Sequence, residues 1–183
     1  MRQALKTFEE EGFIPNIGEA IDREARDGSI AFIDLKTPIV ALKTAQAAQK
    51  YNFLAVMDYG DRKEWPNDPK KANIYDQMLR SVDCVIVPGD AVVKGMEAHA
   101  KNPEQLFYQL QHEYNVPNII MSDGINPVQI WHNNKRYKID IEPYDGQLYS
   151  SCVGDTRDAA LVYFLSLGDN FLTAVEKATA VAS

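Results

Sequence analysis

The sequence predicts an α/β protein. A mainly parallel sheet is covered by helices on both faces, in three layers, with an antiparallel hairpin toward the C-terminus. Three observations predict it. From Gly28 onward, short apolar runs alternate with longer stretches of helical spacing, the pattern of repeated βα units. Late in the chain two strand-like runs are separated only by a few polar residues, which marks a hairpin. Two further apolar segments of helical length then close the chain.

The elements follow in order. The stretch to about Asp27 is rich in charge and reads as one or two helices, a helical extension over 1–28 of a single domain spanning 1–183. Ser29–Asp34 is a short apolar run ending in an acid, as a buried strand would be. Pro38–Tyr51 is alanine-rich, with Leu42, Ala45, Ala48 and Gln49 at helical spacing and Pro38 suited to a first helical turn. Phe53–Asp58 is a second strand ending in an acid, and a helix follows near Asn73–Arg80. Asp83–Val87 is a third strand, halted by Pro88-Gly89. Helices are expected near Ala91–Ala100 and Pro103–Tyr114, and a fourth strand over Val116–Met121. Val128–Trp131 and Lys135–Ile139 flank the polar turn His132-Asn133-Asn134. Helices over Asp155–Leu167 and Asn170–Ala182 are separated by Gly168.

Length and composition exclude several functions. A chain of 183 residues suits one domain with a sizeable core. Its net charge of −7, with Lys70-Lys71 and Lys135-Arg136 only isolated pairs, argues against a nucleic-acid partner. No apolar run is long enough to cross a bilayer, and the start of the chain lacks the apolar core of a signal peptide. A cytoplasmic location is the expectation. Cys84 and Cys152 have no CxxC partner, and His99, His112 and His132 are scattered, so the spacing suggests no zinc site.

In a parallel sheet, ligands bind at the carboxyl ends of strands. Asp34, Asp58 and Ser122-Asp123-Gly124 stand there. Acids at strand ends bind a substrate hydroxyl or a hydrated metal; the other reading is that Asp34 and Asp58 cap the loops that follow. The sharpest signal is Ser150–Thr156, between an irregular loop and an apolar helix. Gly154 permits close backbone approach, the helix start offers unpaired N–H groups to an anion, and Asp155 offers a carboxylate beside them. Phosphoryl transfer needs that combination. Asp155 and Asp158 also suit a helix start without any catalytic role, and the two readings are compatible.

These residues carry a resemblance. Cys152-Val153-Gly154-Asp155-Thr156, then Ala159-Ala160-Leu161 through Leu165, Gly168, and Ala174 through Ala182, resemble the C-terminal signature of the ribokinase-like (PfkB-type) carbohydrate kinases. That signature is a GAGD motif opening a helix, a glycine turn, and an alanine-rich helix. Ile119–Gly124 is similar to the family's strand ending in Thr-x-Gly. The resemblance runs over about 29–183. It implies a ribokinase-like, Rossmann-like three-layer fold and an ATP-dependent phosphotransferase that uses Mg²⁺ and acts on an alcohol group of a sugar-like small molecule. It further implies Asp155 as catalytic base, Cys152, Val153 and Gly154 as the anion hole, Ser122 and Gly124 near the nucleotide phosphates, and Thr179 near the adenine.

The sequence departs from the family in several places. Cys152 and Val153 replace Gly and Ala of GAGD, and Tyr149 stands where an Asp usually opens the motif. Pro127 replaces the second glycine of the nucleotide loop. Pro88-Gly89-Asp90-Ala91-Val92 stands where the family has the Asn-x-x-Glu that supports magnesium. Nothing before Gly28 resembles the family's N-terminal sugar-binding region. These departures motivate an alternative: a catalytically inactive, kinase-like domain that binds a nucleotide or a partner. A third reading is an α/β domain using its crevice for an unrelated ligand. Apolar surface where family segments would pack predicts self-association into a homo-oligomer.

Overall fold

The computed structural model describes residues 28–35, 37–59, 69–89, 102–124, 126–141 and 153–182. The helices expected before Gly28 and over Ala91–Ala100, together with Tyr149 and Cys152, lie outside the described residues.

Six strands form one sheet in the order of the chain. They are β1 (Ile30–Asp34), β2 (Leu54–Asp58), β3 (Cys84–Pro88), β4 (Asn118–Asp123), β5 (Asn126–His132) and β6 (Lys135–Ile139). β1 to β4 run parallel, and β5 and β6 add an antiparallel hairpin. Helices α1 (Pro38–Tyr51), α2 (Pro69–Leu79) and α3 (Pro103–His112) lie between the parallel strands in sequence, and α4 (Val153–Ser166) and α5 (Phe171–Ala182) close the chain. Because the strands stand in sequence order and such crossovers are right-handed, α1, α2 and α3 fall on one face of the sheet. The last two helices cover the other. This is the three-layer arrangement the sequence predicts.

Two cores show the layers. Ile33, Met57, Val85 and Ile119 face the first helix layer, packed with Ala45 and Ala48 of α1, Met78 of α2 and Leu110 of α3. One residue along each central strand the side chains face the other way. Val56, Ile86, Ile120 and Ile130 pack with Leu161 of α4 and with Ala174, Val175 and Ala178 of α5. Strand side chains alternate with period two, so strands buried on both faces are apolar throughout.

The helical stripe of α1 differs from the expected one. Ala41, Ala45 and Ala48 are its buried residues, with Ala47 beside them, while Gln49 is exposed. Small side chains at i, i+4 and i+7 bring that helix close to the sheet. The helix ends on Asn52, which takes a left-handed conformation (φ 54°) and donates its N–H to Ala48 and Gln49 carbonyls. Between β5 and β6, Asn133 (φ 51°) and Asn134 (φ 61°) both adopt positive φ, the geometry a two-residue hairpin turn demands. Asn170 caps α5, its side chain accepting from the Thr173 N–H at 3.1 Å. No described helix is long and apolar enough to cross a membrane.

Candidate functional site

Strand register assembles the site. Asp34 and Asp58 are paired residues at the carboxyl ends of β1 and β2. Each lies two positions past an apolar residue of its strand, and Val56 places Asp58 on the face covered by α4 and α5. At the same end of the sheet, Ser122 pairs with Pro88 across β3 and β4. Neither Asp34 nor Asp58 is free, since each has an interaction of its own. Asp34 is exposed and Asp58 half-buried.

Two residues hold the sheet's carboxyl end together. A Cβ on Gly89 would stand 2.3 Å from the Cβ of Asp123, so only glycine lets the chain after β3 pass so close to β4. Gly124, with φ 56°, turns the chain into β5, and open space lies where its side chain would be. A register irregularity at Met121–Asp123 accompanies this turn.

Helix α4 begins at Val153, two residues earlier than the sequence reading placed it. Asp155 is therefore inside the first turn and is not the residue that precedes it. Val153, Gly154, Asp155 and Thr156 are exposed. Gly154 takes no positive φ, and a Cβ there would meet nothing within 4 Å. The glycine is thus not required by a tight turn; it leaves an open surface over N–H groups that have no intrahelical partner.

The carboxylate turned into the core is Asp158. It is buried and accepts two hydrogen bonds at Oδ1 from Arg157, from Nε at 3.1 Å and Nη2 at 2.9 Å. The two side chains are 6% and 12% exposed. Burial pushes the Asp158 carboxyl up to about 6; Arg157 opposes the rise, and the negative charges of Asp58 and Asp155 add to it. Asp158 in turn helps raise the Cys84 thiol on β3, whose own burial is the main cause. Asp58 and Asp155 thus both lie within electrostatic range of the Asp158–Arg157 pair. The sequence reading gave Asp158 only a helix-start role. The signal it carried is spacing: Asp158 stands three residues before the core residue Leu161, on the apolar stripe of the helix.

Thr179 lies on α5, which packs back along α4 through the short connection at Gly168. It is buried, and its hydroxyl donates to the Val175 carbonyl at 2.8 Å. Of the expected residues, Asp34 and Asp58 are level with each other at the carboxyl ends of β1 and β2, and Ser122 and Gly124 lie at the same edge of the sheet. A cavity of about 590 Å³ borders Gly89, Asp123, Asn126 and Pro127 and extends over Phe107 and Arg136. It touches the β4–β5 turn, and none of Asp34, Asp58 and Asp155 is among its described lining residues. Among the described residues no group of three or more His, Cys, Asp or Glu is placed to hold a metal.

The sequence matches no family model and no curated protein. Solved structures do match. Adenosine kinase from Schistosoma mansoni, in complex with 2-fluoroadenosine, aligns with a TM-score of 0.73 at 14% identity, over 97% of this chain and 54% of its own. Ribokinase from Arabidopsis thaliana, complexed with ribose and ATP, aligns with a TM-score of 0.69 at 18% identity, over 84% of this chain and 48% of its own. A ribokinase-type E. coli structure holding ATP and Mg²⁺ aligns with a TM-score of 0.73 at 16% identity, over 91% and 55%. The chain spans about half the length of these kinases.

Proposed function

On the premise of a ribokinase-like fold, we propose that this chain carries the phosphoryl-transfer half of an ATP-dependent kinase acting on an alcohol group of a sugar or nucleoside. The observation that carries the proposal is Asp155, exposed on the first turn of α4 beside the open backbone of Gly154. ATP and the sugar-like acceptor are taken from what the matched kinases bind.

Asp155 accepts the proton of the acceptor hydroxyl as its oxygen attacks the γ-phosphorus. The bond from that phosphorus to the bridging oxygen breaks, and ADP leaves. Backbone N–H groups of Cys152, Val153 and Gly154 take up charge on the phosphoryl oxygens. Ser122 and Gly124 lie toward the nucleotide phosphates, and Asp34 or Asp58 accepts a hydrogen bond from the acceptor. Thr179 contributes through its place on α5, because its hydroxyl hydrogen is already donated. Mg²⁺, when bound, would neutralise phosphate charge; among the described residues no group of three or more His, Cys, Asp or Glu is placed to hold it. An acidic chain using ATP fits a cytoplasmic setting.

The test is ADP release with ATP and either ribose or adenosine. Asp155→Asn is expected to lower turnover by about 10²-fold or more while ATP still binds. Turnover at the normal rate in that variant would remove Asp155 from the base role.

A second reading is favoured by Cys152 and Val153 in place of the Gly and Ala of GAGD and by Pro88–Val92 in place of Asn-x-x-Glu. In it the chain binds nucleotide without transferring phosphate. ATP binding with no ADP release for any polyol separates it from the first.

A further inference from the structure

At the amino end of β4, away from the strand ends that carry Asp34 and Asp58, a run of side-chain hydrogen bonds centres on His132. Strand register sets His132, the last residue of β5, directly against Asn118, the first residue of β4. Asn118 donates through Nδ2 to the Asp83 carbonyl at 2.9 Å. A carbonyl can only accept, so this bond fixes the amide and leaves Asn118 Oδ1 facing His132 Nδ1 at 2.6 Å. An acceptor there requires the proton on Nδ1. In the neutral ring Nε2 is then the bare nitrogen, and it accepts from the Asn133 amide at 2.7 Å. Both helix layers reach this turn. On one face of the sheet the imidazole stacks on Phe171, the first residue of α5, with ring centroids 5.0 Å apart. From the other layer, Gln111 of α3 donates to Asn134 of the same turn at 2.7 Å.

We propose that His132 is a pH-sensitive latch: the neutral ring holds the β5–β6 turn against β4 and α5, and the protonated ring lets the turn go. Protonation places a hydrogen on Nε2, so two donors confront each other across the Asn133 contact. On β6, Lys135 stands directly across from His132 and adds like charge, and the Tyr137 ring lies 6.5 Å away. On β3, the Asp83 carboxylate accepts from the Ala55 N–H at 2.8 Å. Just before α5, Asp169 is paired with Lys177 at 2.7 Å. Phe171 is the neighbour that favours the cation, through the face of its ring. Burial works against it and holds the imidazole below its ordinary 6.5. A histidine depressed in the folded state contributes stability that is complete above pH 6.5 and is lost as the pH falls through the folded value.

The test is an NMR titration of the histidine rings in the full chain, with the His132 signal identified by its loss in His132→Gln. Wild-type His132 is expected to titrate below 6.5. Asn133→Asp, whose carboxylate accepts from the protonated Nε2, is expected to raise that value. Hydrogen-exchange protection of the Asn134 and Lys135 amides, corrected for the intrinsic rate at each pH, should fall severalfold from about pH 8 to about pH 5 in wild type. In His132→Gln, which has no ring to titrate, it should stay level. A wild-type ring titrating at or above 6.5, or turn protection that does not change with pH, overturns the latch. An Asn133→Asp ring that titrates no higher than wild type also overturns it, because residue 133 then does not face Nε2. None of these measurements involves a nucleotide, so their outcome is separate from the kinase reading.

Discussion

Replacing Asp158 with Asn should stabilise the protein at pH 8 and do progressively less as the pH falls. The folded protein raises this carboxyl from its ordinary 3.8 to about 6, chiefly through burial. Between those values the folded chain keeps a proton that the unfolded chain releases. The stabilisation from that proton is complete below about pH 4 and is lost as pH rises through 6. Each pH unit corresponds to about 1.4 kcal/mol, so the charged carboxylate above pH 6 costs about 3 kcal/mol relative to its neutral form. The favourable pairing with Arg157 is already contained in that difference, because the guanidinium is one of the groups that set it. An Asn at 158 is neutral at every pH and still accepts from Arg157 through its amide oxygen. At pH 8 it should gain up to about 3 kcal/mol, or about 6–12 °C in melting temperature for a chain this long. Thermal unfolding of both proteins at pH 5, 6, 7 and 8, followed by circular dichroism, isolates the effect as a widening gap between them. A gap that stays constant with pH, or a variant less stable than wild type at pH 8, would refute the reasoning and show the ion pair to outweigh its desolvation.

Two further expectations concern glycines. Gly154→Ala fills open space inside a helix, so melting temperature should hold or rise by an amount equivalent to about 0.5–1 kcal/mol, while ATP affinity falls because the methyl group covers the N–H surface; undiminished affinity in calorimetry would remove Gly154 from the site. Gly89→Ala places a methyl group against the Asp123 Cβ at 2.3 Å. Neither atom sits on a flexible end, so the ends of β3 and β4 must part, at about 1–3 kcal/mol measured by chemical denaturation; an unchanged midpoint would show that the close approach is not required.

How much of this was legible in the chain follows from the range over which each signal acts. The strand ending at Asp58 was readable because a strand buried on both faces is apolar without interruption and an acid ends it visibly; β1, at the sheet edge with Phe32 exposed, has the same uninterrupted apolar run before Asp34. β6 was readable to the residue because the Asn133–Asn134 turn marks its start. β4 was read two residues early: Val116 is buried below the strand and is apolar for that reason, and burial alone does not say whether a residue pairs. The start of α4 was misplaced because Asp155 has the chemistry of a residue preceding a helix, and only backbone geometry shows it to be inside the first turn.

The sequence by itself determined the layers, the hairpin and the identity of Asp155 as the acid beside an open glycine, since local periodicity and turn chemistry act over a few neighbours. Tertiary structure alone decided that Asp34 stands level with Asp58, that Gly89 grazes Asp123, and that Asp158 is buried with Arg157 against the ends of strands a hundred residues away. Those are facts of register and packing. Burial and through-space charge depend on which distant segments meet, and no short window of sequence contains both partners.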